Sequence, residues 1–186
     1  MMRIAVIGPE STGKTELCTQ LAKYFHCDWV PELAREYVEL RGNVYTYEDV
    51  VEIARLQIAE ERKYEDRRNK RFVFFDTELI ITKVWLEYKY QQVPDFVEER
   101  LSERFYDFYL LCEPDLPWIY DPVRENGDNR DFFFDWYERE IQNLKIPYAI
   151  VGGVDILRFE NAVKAVLRAE KDFLKMSDIL PNDIKC

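Results

Sequence analysis

The octapeptide Gly8-Pro9-Glu10-Ser11-Thr12-Gly13-Lys14-Thr15, preceded by the apolar run RIAVI at 3–7 and followed by an amphipathic run at 14–25, decides the fold. It matches G-x-x-x-x-G-K-[ST], placed where that pattern has a physical meaning, between a buried strand and a helix. The glycines let the backbone turn so that successive N–H groups point inward at phosphate oxygens. The helix that follows presents its positive N-terminus to the same anion. Lys14 is placed to reach the β- and γ-phosphates, and the Thr15 hydroxyl to ligate Mg²⁺. The loop from Gly8 to Thr15 is therefore expected to bind nucleotide, with ATP and Mg²⁺ as the cofactors. Average residue usage would produce this pattern by chance in roughly 1% of chains this long or fewer.

Working outward, four more short apolar runs read as strands: DWVP at 28–31, RFVFFD at 71–76, DFYLLC at 107–112 and PYAIVG at 147–152. Their near-continuous apolar character is what strands covered on both faces show. Amphipathic stretches fill the gaps at 14–25, 32–40, 47–69, 78–90, 95–106, 131–144 and 156–176. Thr46-x-x-Asp49 and Asp95-x-x-Glu98 offer capping signals for two of them. The charge-rich part from Glu60 to Arg71 reads as a solvated face. Strands alternating with helices imply right-handed crossovers and a parallel sheet. The expected fold is a three-layer α/β P-loop NTPase or kinase fold, with about five parallel strands and helices on both faces.

The 186 residues suit one domain spanning 1–186, long enough to bury about 70% of its unfolded surface. Acidic residues outnumber basic ones 36 to 26, for a net charge of -10. That field disfavours nucleic acid and anionic membrane surfaces as partners and leaves a small molecule as the expected one. No apolar run approaches the roughly 18–20 residues of a membrane span. Cys18, Cys27, Cys112 and Cys186 show no C-x-x-C spacing, so no disulfide framework is expected and the reducing cytoplasm is the default location. His26 is the only histidine, which excludes a histidine-based triad or a multi-histidine metal site within this chain.

A phosphate loop leaves the reaction open. A GTPase would carry Asn-Lys-x-Asp, whereas Asn69-Lys70 is followed by Arg71 and Phe72. An AAA-type motor would carry an Asp-Glu pair, whereas Thr77 separates Asp76 from Glu78. A small-molecule kinase needs a carboxylate at a strand end and a basic segment to close over the phosphates. Asp76 ends the most apolar strand, at the carboxyl end where open α/β sheets bind ligands. There it can hold Mg²⁺ or accept the acceptor's proton, and it can also cap the helix at 78. Glu32 ends the second strand in the same way. With Arg35 one turn later it can grip a diol and a phosphoryl oxygen, or form only an i,i+3 surface pair.

The stretch 113–131 is too long for an idle connection, and it holds Trp118, Tyr120, Asp121, Arg124 and Arg130. It is expected to form a lid whose Arg124 and Arg130 stabilise the migrating phosphoryl group. Trp85, Tyr88 or Tyr90 can stack a flat ring, and Arg158, after Gly152-Gly153, can pack on adenine or sit at a helix start on the surface.

These pieces together resemble the ribosylnicotinamide kinase domain of the bifunctional NadR family. The matching segments are GPESTGKT at 8–15, PELAREY at 31–37, Ile53-Ala54 to Gln57, FFDTE at 74–78, YDFYLL at 106–111 and Trp118-x-x-Asp121-x-x-Arg124. The resemblance implies ATP-dependent phosphorylation of the 5'-hydroxyl of nicotinamide riboside. It makes Glu32 and Arg35 substrate-site residues, Asp76 the strand-end acid, and Asp121 and Arg124 lid contacts. Pro31 stands where some members have an aromatic residue, and Pro122 where a glycine is common. One histidine cannot supply the His-x-Gly-His of the family's adenylyltransferase partner domain, and 186 residues leave no room for a DNA-binding domain. Two alternatives stay open, a kinase for another nucleoside or small metabolite, and a regulatory ATPase without a small acceptor. Which of Asp76 and Glu32 takes the hydroxyl proton is also open.

Overall fold

In the computed structural model, which describes residues 1–42, 44–67, 70–120 and 127–179, a sheet of five parallel strands runs in the order β2-β3-β1-β4-β5. The strands are β1 (Met2–Ile7), β2 (Asp28–Val30), β3 (Phe72–Asp76), β4 (Phe108–Cys112) and β5 (Tyr148–Val151). β1 lies at the centre, with Val6 opposite Asp76 on one side and opposite Leu110 on the other. Every residue of β3 and β4 is buried, as their unbroken apolar character requires.

Helices cover both faces. α1 (Lys14–Phe25) and α7 (Ile156–Ile179) pack Leu17, Cys18, Leu21, Ala162 and Val166 against Ile4, Val6, Phe74 and Leu110. On the other face, α3 (Tyr47–Arg62), α4 (Leu79–Tyr90), α5 (Asp95–Ser102) and α6 (Arg130–Leu144) bury Ile58, Val84, Leu101 and Ile141 with Ala5, Phe75 and Leu111. The short α2 (Leu33–Glu39) follows β2. Among the described residues no helix is long and apolar enough to cross a membrane.

The capping box at Thr46 forms: the Asp49 N–H donates to the Thr46 hydroxyl, and the Thr46 N–H to the Asp49 carboxylate at 2.9 Å. The expected second cap does not. Pro94 occupies the N-cap of α5 with no side-chain bond, and Asp95 is already the first helical residue. α3 also stops at Arg62 rather than at 69, because no apolar residue recurs at helical spacing after Ile58 to hold it on the sheet. Instead Tyr64 turns inward against Phe75, with ring centroids 5.3 Å apart.

The reading of the stretch from Glu60 as solvated fails at two residues, Tyr64 and Glu61. Glu61 is only 1% exposed, where it accepts from the Arg100 Nε at 2.9 Å and the Tyr106 hydroxyl at 2.8 Å. Burial pushes its carboxyl up, while Tyr106 and Arg100 hold it down. Arg100, 7% exposed, also bonds Glu65 and Glu103. Removing one partner of a buried pair strands the other charge, so Arg100→Leu is expected to destabilise the fold by about 3–5 kcal/mol. Urea unfolding would read this, and a change under 1 kcal/mol would mean that Glu61 is satisfied without Arg100.

Candidate functional site

The loop after β1 is shaped by close approach. Gly8 has φ 150, and a Cβ there would lie 2.7 Å from the Cys112 carbonyl oxygen at the end of β4, so no side chain fits. Gly13, at φ 73, is the N-cap of α1. No side chain caps that helix, which leaves its first-turn N–H groups to whatever anion the loop cradles. Thr12 is buried and donates its hydroxyl to the Pro9 carbonyl at 2.9 Å. The Lys14 ammonium donates to the Gly8 and Pro9 carbonyls, each at 2.9 Å, which places the charge inside the loop's curve.

A cleft of about 350 Å³ opens from this loop. It is lined by Gly8 and Glu10 through Glu16 of the loop and by Glu32, Arg35 and Thr77. The rest of its lining is largely aromatic, with Tyr45 from the loop before α3, Trp85 and Tyr88 from α4, and Phe133 and Tyr137 from α6. The Trp85 indole donates to the Tyr45 hydroxyl at 3.2 Å and meets its ring edge-on, so the wall is held by its own contacts. The expected Trp85 and Tyr88 are therefore in the cleft, but Tyr90 is not and packs on Tyr47. Sequence reasoning missed Tyr45, Phe133 and Tyr137. The i,i+4 spacing of Phe133 and Tyr137 was the available signal, and it reads equally well as core.

Asp76 ends β3 beside this loop, 2% exposed, with neither carboxylate oxygen bonded to a described residue. Burial raises its pKa to about 6, against the lowering pull of the Thr15 hydroxyl and Lys14. It does not cap α4, because Glu78 does so with its own carboxylate on the Ile80 N–H at 2.9 Å. Glu32 is the N-cap of α2 and sits 3.9 Å from the Arg35 Nε, so the pair faces the cleft together.

The first half of the expected lid lies across the loop. The Ile119 N–H donates to the Ser11 hydroxyl at 3.1 Å, and Leu116 comes within 3.3 Å of where a Gly13 Cβ would stand. Arg130 begins α6 and donates to the Leu116 carbonyl at 2.8 Å, which braces the segment instead of pointing its charge into the cleft. Trp118 packs its indole against Gly127, also outside the cleft lining. Asp121 and Arg124 lie outside the described residues. Arg158 is neither surface nor cleft. At 5% exposed it donates to the Gly153, Val151 and Glu113 carbonyls and pairs with Asp115, clamping the ends of β4 and β5.

Comparisons with known proteins agree with this architecture. The chain is 28% identical over 162 residues to the trifunctional NAD biosynthesis/regulator protein NadR of Escherichia coli (strain K12), a match covering 84% of this chain and 38% of that protein. The Salmonella typhimurium protein of the same name is 27% identical, again over 38% of its length, so the chain spans well under half of these relatives. A crystal structure of NadR in complex with NR superposes with a TM-score of 0.70 at 25% identity, covering 91% of this chain and 50% of that one. A deoxyadenosine kinase from M. mycoides, 12% identical with a TM-score of 0.53 over 90% of this chain and all of its own, shares the fold. The resemblance read from the motifs and the P-loop kinase fold are thus both borne out. The Thr77 spacing argument against an AAA-type module does not keep the chain out of a family bearing that name. The matching family model runs from residue 3 in β1 to residue 156 at the start of α7, and the chain accordingly belongs to the AAA domain family AAA_28.

Proposed function

We propose that the chain is an ATP-dependent kinase that transfers a phosphoryl group to the hydroxyl of nicotinamide riboside, giving nicotinamide mononucleotide. One observation carries this reading: a single cleft is lined by the phosphate loop, by Glu32 and Arg35, and by the aromatic side chains of Tyr45, Trp85, Tyr88, Phe133 and Tyr137. A phosphate donor fits the loop, and a ribose bearing a flat, electron-poor ring fits the aromatic lining. The relatives' part in NAD biosynthesis, and the NR in the superposed NadR complex, favour that acceptor.

In this reading the loop amides and Lys14 neutralise the phosphates. Lys14 gives up its carbonyl partners for phosphate oxygens at little cost, since both are hydrogen bonds. The Thr15 hydroxyl and the unpartnered Asp76 carboxylate beside it are the hard oxygen donors that Mg²⁺ prefers. That ion would supply charge neutralisation on the phosphates. Glu32, which lines the cleft where Asp76 does not, holds the acceptor hydroxyl and takes its proton. Arg35 orients Glu32, and Arg124 is the lid arginine. The chain works as one domain in the cytoplasm on a small molecule.

The aromatic wall supplies the test. Trp85→Ala is expected to raise KM for nicotinamide riboside by about tenfold while KM for ATP stays within twofold, because the lost contacts are those to the acceptor. Equal changes in both constants would remove the wall from the acceptor site.

A further inference from the structure

The link between Asp76 and α4 is strained, held upstream by a backbone bond and downstream by two side chains. Thr77 has φ 74, a left-handed conformation that a β-branched residue rarely takes. It is 7% exposed, it touches the cleft, and its hydroxyl bonds no described residue, so its own side chain does not stabilise the turn. Upstream, the Thr77 N–H donates to the Val6 carbonyl at 3.0 Å, extending the β1–β3 pairing by one bond. Downstream, the start of α4 is pinned. The Glu78 carboxylate accepts from the Ile80 N–H at 2.9 Å and the Tyr109 hydroxyl at 3.3 Å.

Gln57 adds the second brace, from α3. With its amide oriented as its neighbours demand, the oxygen accepts from the N–H groups of Glu78 at 3.1 Å and Leu79 at 3.2 Å. The amide nitrogen donates to the Thr82 hydroxyl at 3.2 Å. A side chain from another helix thus caps α4, whereas no side chain caps α1 at the phosphate loop. These braces leave the Asp76–Thr77 turn little freedom to relax, and neither Gln57 nor Glu78 lines the cleft.

We propose that Thr77 and Gln57 are positioning residues for phosphoryl transfer, the strained turn at Thr77 aiming the Asp76 carboxylate at Thr15 and the Gln57 cap keeping it aimed. This inference rests on the kinase reading. A misplacement of about 1 Å in such a group can cost up to about a hundredfold in rate.

The test compares Thr77→Gly, Gln57→Leu and Gln57→Glu with the wild-type chain in a steady-state transfer assay, on whichever acceptor from a nucleoside panel the wild type uses. Glycine takes the left-handed conformation freely, so Thr77→Gly should melt at or above the wild-type temperature yet lose about tenfold in kcat, with KM for ATP within twofold. Gln57→Leu should lose a similar factor in kcat at a temperature where it is fully folded. Gln57→Glu, which keeps an accepting oxygen, should recover most of it. A purely structural role would move melting temperature and leave kcat of the folded enzyme alone. Wild-type kcat in both Thr77→Gly and Gln57→Leu overturns the inference while leaving the kinase reading standing. A wild-type chain that transfers to no acceptor overturns the kinase reading and this inference with it.

Discussion

Lys14→Ala is expected to lower phosphoryl transfer by about a hundredfold to a thousandfold, the usual cost of removing one preorganised charge-stabilising donor. The fold should be unaffected. Among the described residues Lys14 donates to the Gly8 and Pro9 carbonyls, which belong to a turn already shaped by Gly8 and Gly13 and by the Thr12–Pro9 bond. The measurement is kcat/KM for ATP alongside a thermal melt. A variant that melts normally and turns over within threefold of the wild type would remove the loop from the chemistry.

Asp76→Asn should separate stability from activity. Its carboxyl is buried with a pKa raised to about 6, so the folded state holds the proton more tightly than the unfolded chain does. Asp76 therefore favours folding most at acid pH, and the contribution is lost as pH rises from its unfolded value through about 6. At pH 7.5, with nucleotide absent and divalent ions chelated, the charged carboxylate opposes folding by up to about 3 kcal/mol. Asparagine removes that charge, so the variant should melt several degrees higher at pH 7.5 and converge with the wild type near pH 4. Turnover should fall by about a hundredfold or more. A variant less stable than the wild type at pH 7.5 would show that the carboxylate is paired in solution. A loss of turnover with no change in Mg²⁺ requirement would move Asp76 from the metal to the proton.

What could be read from the sequence is what local chemistry determines. The phosphate loop and the all-buried β3 and β4 were legible because glycine turns and unbroken apolar runs carry their own explanation. Helix starts were legible where a capping box stood, at Thr46, and where Pro94 preceded Asp95, whereas the C-terminal ends of α3 at Arg62 and α5 at Ser102 were placed too late. The buried Glu61 was hidden because its partners, Arg100 and Tyr106, lie about forty residues away and no periodicity announces an ion pair across a fold. The same holds for Arg158, whose clamp joins two strand ends and a turn. The aromatic wall draws on a loop and two helices, so each of its members reads singly as core. Thr77 ran against local preference altogether, since nothing in its residue type suggests a left-handed turn.

The most direct measurement is a mass-spectrometric transfer assay. The chain is incubated with Mg-ATP and nicotinamide riboside, with common nucleosides in parallel and the Lys14→Ala protein as the blank. Gain of one phosphate on nicotinamide riboside, faster than on any nucleoside and absent from the blank, is the predicted result. Phosphate gain on another nucleoside in preference to nicotinamide riboside would contradict the acceptor, and ATP binding without transfer to any of them would contradict the kinase account itself.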